Sequence, residues 1–226
     1  MPRTELDRRL AALVAEVLEM GEAVDRSIAQ AIDALSRRDE GLAAEVAAAD
    51  DAIDAACNRI ERDSTNLITL HHPVVRDLRA VLAALSIAED LERIGDHAEG
   101  IARLVSRLPG PPDEQDFVAL SGLAALARVQ LHGSLDAYRA CDATRAREVW
   151  AGDDAVNALY DRIVRSLMAA MSTDHNALLA DTYLLWIAHG LERIADRATN
   201  ICERVIFIAT GDRRVETNAV PEPVAS

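Results

Sequence analysis

The chain has 226 residues, of which half are hydrophobic but only 3% are aromatic, and its formal net charge is −14 at pH 7. Such an acidic chain lacks the clustered Lys and Arg that bind a phosphate backbone, which argues against a nucleic-acid-binding function. No run of about 18 apolar residues is present to cross a bilayer, and the first residues lack the apolar segment of a signal peptide. We therefore expect a soluble, cytoplasmic protein of one large or two small domains.

Helix periodicity runs through the chain. Apolar residues recur at spacings of mostly three and four, which is typical of amphipathic helices, as in Leu6, Leu10, Leu13, Val17, Val24, Ile28, Ile32 and Leu35. Breaks are expected near Arg37–Arg38, at His72-Pro73, in the proline-rich stretch 108–116, near Cys141–Asp142 and near Thr173–Asp174. These breaks predict six helices in two groups of three.

The second half of the chain repeats the first. LSIAEDLERIGDHAEGIARLV (85–105) and LWIAHGLERIADRATNICERV (185–205) share 11 of 21 positions, which is far too many for chance. Upstream the offset is 103, and DDAIDAACNRI (50–60) matches DDAVNALYDRI (153–163). We therefore predict an internal duplication: an all-α fold of two tandem three-helix bundles, with repeats at 1–110 and 117–212 and a mobile tail at 213–226.

Each repeat carries a Glu and an Asp four residues apart, Glu92 with Asp96 and Glu192 with Asp196. Residues at this spacing lie about 40° apart and project from one face of a helix. The apolar stripe that begins at Val74 leads along the third helix to Glu92 and Asp96, so these acids do not lie on an obviously solvated face.

The preceding helix supplies matching acids. Asp50 and Asp54 are four residues apart, and a hairpin turn near His71–His72 brings them to nearly the height of Glu92, within about 5 Å at 1.5 Å rise per residue. Asp153 and Glu192 repeat this register in the second copy.

Converging carboxylates need a positive partner, because an uncompensated buried charge costs several kcal/mol. A metal ion is one candidate, since carboxylates suit magnesium, calcium, manganese or iron, with zinc as a further candidate. Arginine is the other, because Arg93 and Arg193 adjoin the motif and Arg59 and Arg162 recur on the partner helices. Surface ion pairs without any ligand would explain the pattern as well.

Two segments of the sequence resemble the paired hallmark segments of the PhoU family of phosphate-transport regulators. They are LHHPVVRDLRAVLAALSIAEDLERIGDHAEGIAR and AHGLERIADRATNICERVIFIATGD. The resemblance implies a six-helix fold, usually dimeric, and metal ions bound by the E/D-x-x-x-D motifs. It also implies a negative regulator of phosphate uptake and starvation signalling, an adaptor between the ATPase subunit of the phosphate ABC transporter and a sensor histidine kinase.

The metal ligands that follow from the motif and its partner helices are Glu92, Asp96, Glu192, Asp196, Asp50, Asp54 and Asp153. The second copy departs from the first at three points: Ala195 replaces Gly95, Asn157 replaces Asp54, and His189 replaces Glu89. Because it loses an anionic ligand, the second site should bind a hard cation less well, unless His189 or Asn200 compensates. His97, about 100° from Asp96, is expected to be solvated or interfacial rather than a ligand.

Two further functions stay open. A carboxylate-bridged di-metal enzyme would need the bundle to hold two ions, but the E-x-x-H motifs of ferritin-like sites do not occur. A purely structural helical protein would neutralise its acids with arginine. Cys57, Cys141 and Cys202 have no C-x-x-C spacing and are expected to be core residues.

Overall fold

The computed structural model describes residues 3–212, and all regular structure in that part of the chain is α-helical. The predicted tail, 213–226, lies outside the described residues. The helices are α1 (Arg3–Arg37), α2 (Glu40–His71), α3 (Val75–Val105), α4 (Glu114–Ala140), α5 (Ala143–Trp150), α6 (Asp153–Thr173) and α7 (Leu178–Thr210).

The helix ends fall at the predicted breaks. α1 ends before Arg38, whose φ of 49° is left-handed, and α2 ends before His72, with φ 47°. The carboxylate of Asp39 then accepts a hydrogen bond from the backbone N–H of Leu42 and caps α2. Pro73 cannot continue a helix, so α3 begins after it.

The second repeat has one break that periodicity did not predict. The expected fifth helix is interrupted at Ala151 and Gly152 and consists of two consecutive segments, α5 and α6. Glycine is a poor helix former, and the Gly152 N–H turns back to the Val149 carbonyl. The equivalent position of the first repeat is Ala49, and there α2 continues unbroken.

Each repeat forms a three-helix bundle, in which α5 and α6 together take the place of one helix in the second repeat. α1, α2 and α3 pack together, as do α4, the α5–α6 pair and α7, and the two bundles meet where α3 contacts α7 and α1 contacts α4. Leu91 and Ile94 of α3 and Leu191 and Ile194 of α7 are fully buried, because these two helices are covered from several sides. This confirms the all-α fold of two bundles.

A charged contact also joins the repeats through α1 and α4. Nε and Nη2 of Arg128 donate to the Asp25 carboxylate, at 2.7 and 2.9 Å, and Nε2 of His132 lies 2.9 Å from the same carboxylate. Asp25 and Arg128 are 103 positions apart, which is the offset of the duplication, so equivalent positions of the two repeats contact each other. Divergence has made one of them acidic and the other basic.

The apolar predictions hold with one exception. Cys202 is buried, and Cys57 and Cys141 are half-buried against the core. Burial is the main cause that raises the pKa of the Cys57 thiol to about 11. Val74, the predicted start of the apolar stripe of α3, is instead 67% exposed, because it precedes the helix at the hairpin tip. Within residues 3–212, no helix is both long and apolar enough to cross a membrane.

Candidate functional site

In the first repeat, α2 and α3 bring the predicted acids together. The two helices are antiparallel neighbours, and the register places Asp50 beside Asp96 and Asp54 beside Glu92. The side chain of Glu92 is 27% exposed and that of Asp96 is 41% exposed, while Asp54 is exposed. The four acids therefore lie along the partly covered edge of the α2–α3 seam, as the hairpin argument predicted.

The carboxylates of this set repel one another. Burial raises the pKa of Asp50 to about 6, helped by the negative charges of Asp54, Glu99, Asp96 and Glu92. Burial, followed by the charge of Asp96, also raises the pKa of Glu92, although Arg93 acts in the opposite direction. Burial and the neighbouring negative charges both disfavour the ionised forms of these carboxyl groups. A bound cation would relieve this repulsion.

Gly95 allows side chains of α2 to lie directly against α3. A methyl group placed on Gly95 would lie 2.9 Å from Oδ1 of Asp50 and 3.2 Å from the side chain of Ile53. Asp50 therefore reaches the surface of α3 only because position 95 has no side chain. In the second repeat the same position is Ala195, which is fully buried.

Arginine neutralises only part of the first set. The guanidinium group of Arg93 lies 3.5 Å from both Glu92 and Asp96, which is long for an ion pair. Arg59 does not contribute, because it faces α1 and lines a groove there with Glu16. The arginine alternative is thus realised weakly in this repeat, at an exposed edge where such pairs contribute little.

The second repeat is neutralised more fully by its own residues. Arg193 lies 2.9 Å from Asp196, and the side-chain amide of Asn157 donates to Asp153 at 2.7 Å. His189 lies 3.7 Å from Glu192, and the pKa of Glu192 is raised, chiefly by burial. Asp153, Glu192 and Asp196 still influence one another, but Asp196 has a closer basic partner than Asp96 has, and Asp153 has a side-chain donor in Asn157.

His97 lies at the contact between α3 and α7. Burial lowers its pKa, as do the positive charges of Arg193 and Arg197 on the opposing helix. It therefore belongs to the interface between the repeats, as expected, and is separated from the acids of the first set by its position round the helix.

Two acids of this region were missed at the sequence level. Glu99 raises the pKa of Asp50, and Glu89 acts on Glu92. Both lie on the α3 face of Glu92 and Asp96, since they are separated from them by three residues. Extending the motif by one turn in each direction would have found them.

The donor chemistry of the first set suits a hard cation, because it consists of carboxylate oxygens alone. Among residues 3–212, however, no three His, Cys, Asp or Glu side chains stand close enough together to form a finished metal site. The set is a concentration of negative charge whose members would have to turn towards an ion.

Comparisons with known proteins agree with this architecture. The family described as "PhoU domain" matches residues 17–105 and again 120–205. A phosphate-specific transport system accessory protein PhoU homolog from Clostridium acetobutylicum is 35% identical over 219 residues, which cover 96% of this chain and all of that protein. The corresponding homolog from Caulobacter vibrioides is 39% identical over 90% of this chain and 89% of that protein.

A solved structure has the same fold. The phosphate transport system regulatory protein PhoU from Streptococcus pneumoniae superimposes with a TM-score of 0.86 at 30% identity, over 92% of this chain and 99% of that chain. The two family matches together span more than half of the sequence and fall one on each bundle. The chain therefore belongs to the PhoU domain family.

Proposed function

We propose that the chain is a non-catalytic, cytoplasmic regulatory accessory protein of a phosphate transport system, and that it binds a divalent metal ion at the first-repeat acids. The observation that carries the metal is the convergence of Asp50, Asp54, Glu92 and Asp96, where burial, followed by the neighbouring negative charges, raises the pKa of Asp50 to about 6. The names of the relatives from Clostridium acetobutylicum and Caulobacter vibrioides support the accessory role.

The first repeat would hold the ion in preference to the second. Its acids have only the distant Arg93 as a partner, whereas Arg193 and Asn157 already engage those of the second repeat. An ion would displace Arg93 from Glu92 and Asp96 and draw Asp50 and Asp54 towards them. The rim of the α2–α3 seam would then become less negative, which changes the surface offered to a partner.

As a regulator, the protein would act by contact, as an adaptor between the ATPase subunit of a phosphate ABC transporter and a sensor histidine kinase, and as a homodimer. It would repress phosphate uptake and starvation signalling when phosphate is plentiful. No part of residues 3–212 could span a membrane, so a protein partner would bring it to the membrane face.

Elemental analysis tests the metal site. Protein purified without a metal-affinity tag should retain metal that a Glu92→Ala, Asp96→Ala double variant lacks, while circular dichroism shows both to be folded. The matched variant, Glu192→Ala with Asp196→Ala, should keep most of the metal. Equal metal content in all three proteins would reject the first-repeat ligands.

Deleting the gene tests the regulatory role. Phosphate uptake or the phosphate-starvation response should become constitutive in phosphate-rich medium, and the wild-type gene should restore repression. Normal repression in a deletion strain without a second copy would contradict the proposal.

A further inference from the structure

A polar groove lies between the two repeats, beside the first-repeat acids. It has a volume of about 550 Å³ and opens between α2, α3 and α7. Its floor is formed by Ser86 and Asp90 of α3 and by Arg197, Asn200 and Arg204 of α7. The α7 residues are three and four positions apart, so they share one face of that helix.

The duplication supplies an internal comparison for this floor. A second groove, on the other side of the α3–α7 contact, is lined by the residues 100 positions away. Each floor residue has an equivalent in the second groove: Trp186 for Ser86, Gly190 for Asp90, His97 for Arg197, Gly100 for Asn200 and Leu104 for Arg204. The fold therefore does not require a charged floor, since the equivalent positions accept small, aromatic and aliphatic side chains.

Protein partners do not use up the guanidinium groups of the floor. Arg197 lies 3.5 Å from the Asp90 carboxylate, and Asn200 donates to the same oxygen at 3.3 Å, both long for hydrogen bonds. The Nε atoms of Arg197 and Arg204 are covered and have no hydrogen-bond partner in the described part of the chain. The floor contains two partly covered arginines and one buried Asp, so its formal net charge is positive.

The rim of the groove has the opposite sign. Asp54 and Glu89 are exposed there, Glu92 is half-buried, and Arg93 is the one basic residue of the rim. A simple anion would be attracted to the floor but repelled at the entrance, and by the net charge of −14. A ligand with a cation facing the rim and an oxyanion facing the floor would be complementary to the negative charge of the rim and to the positive charge of the floor.

We propose that this groove binds a phosphate group complexed with a divalent cation. The phosphate oxygens would accept hydrogen bonds from Arg197, Arg204 and Asn200, and the cation would face Asp54 and Glu92. Guanidinium groups suit phosphate because their N–H donors form a planar fork. The proposal rests on the proposed function in one respect, since Asp54 and Glu92 serve as cation ligands in both.

Phosphate binding by the full-length protein, freed of metal with a chelator, tests the groove. Equilibrium dialysis with radioactive orthophosphate, and in parallel with pyrophosphate as the larger phosphate group, is performed with and without added Mg²⁺ or Mn²⁺. We expect saturable binding of at least one of them, near one per chain, in the presence of the cation only. Binding of the cation alone is measured separately, which distinguishes failure of the metal site from failure of the groove.

The variants follow from the internal comparison. Arg204→Leu introduces the residue of the equivalent position, Leu104, and should weaken phosphate binding at least about tenfold while leaving the cation bound. Arg107→Leu, an equal loss of charge at an exposed arginine of the second groove, should leave phosphate binding unchanged.

Three outcomes would overturn the proposal. They are cation binding by the wild type without phosphate binding, equal loss of phosphate binding in both arginine variants, and phosphate binding that does not depend on the cation.

Discussion

Gly95 of α3 faces the Asp50 carboxylate of α2 in the α2–α3 seam. Glycine costs helix stability relative to alanine, by about 1 kcal/mol, so its presence in the middle of α3 has a local cost. A side chain at position 95 would obstruct the approach of Asp50 to α3. The second repeat has Ala195 at the equivalent position, which is a further difference between the two acidic sets besides Asn157 and Arg193.

Gly95→Ala should therefore displace Asp50 from α3 and weaken cation binding several-fold, while the protein stays folded. The gain in helix propensity should be cancelled by contact with Asp50 and Ile53, so urea unfolding should show little or no stabilisation. Cation affinity is measured by titration calorimetry.

Gly100→Ala is the matched control for this change. It lies in the same helix, and a methyl group there would meet no atom within 4 Å. This variant should be more stable by up to about 1 kcal/mol and should bind the cation normally. Equal cation affinities in the two variants would show that Asp50 does not contribute to the site.

At the scale of the helices, some acids repeated by the duplication serve as caps rather than ligands. Asp39 and Asp142 are 103 positions apart, and both precede a helix. Asp39 accepts from the N–H of Leu42 at 3.0 Å, while Asp142 accepts from those of Thr144 and Arg145 at 2.9 and 3.1 Å. These carboxylates satisfy N–H groups that the first turn leaves free.

Asp39→Ala should lower the free energy of unfolding by about 1 kcal/mol, because α2 loses its cap. Urea unfolding followed by circular dichroism measures the change. Asp51→Ala, an exposed position within the same helix, should produce no such loss. A similar decrease in both variants would assign the effect to net charge rather than to capping.

For the whole molecule, the contacts between the repeats include the buried apolar surface of α3 against α7 and the Asp25–Arg128 pair of α1 and α4. Burial by itself would raise the pKa of Asp25, but hydrogen bonds from Arg128 and His132 outweigh it and lower that pKa. The folded protein consequently binds a proton at Asp25 less readily than the unfolded chain does. Its contribution to stability is complete above the ordinary Asp pKa near 4 and is lost as the pH falls through the lower folded value.

Asp25→Asn should reduce the free energy of unfolding at pH 7 by about 1–3 kcal/mol, because Arg128 loses a charged partner whose side chain is only 16% exposed. The difference from the wild type should shrink as the pH is lowered towards 3. Urea unfolding at both pH values measures it. Asp136→Asn, which breaks exposed pairs with Arg139 and Arg145, should change stability by less than about 0.5 kcal/mol and serves as the control.

The sequence by itself determined the helical class, the duplication and most helix ends. The spacing of apolar residues and the residues that end helices are local properties of the sequence. The breaks at Arg38, His72 and Cys141 could therefore be predicted from nearby residues. The convergence of Asp50 and Asp54 with Glu92 and Asp96 could also be predicted, because a short hairpin turn fixes the register of α2 against α3.

Contacts between elements were decided by the tertiary structure alone. The approach of Asp50 to Gly95, the Asp25–Arg128 pair and the groove floor of Arg197 and Arg204 depend on how the helices cross. Crossing geometry comes from the packing of whole helix surfaces, to which distant residues contribute together, and a periodic pattern records only which face is covered. The acids were therefore visible in the sequence, whereas the arginines that face them across the repeats became visible only in the folded chain.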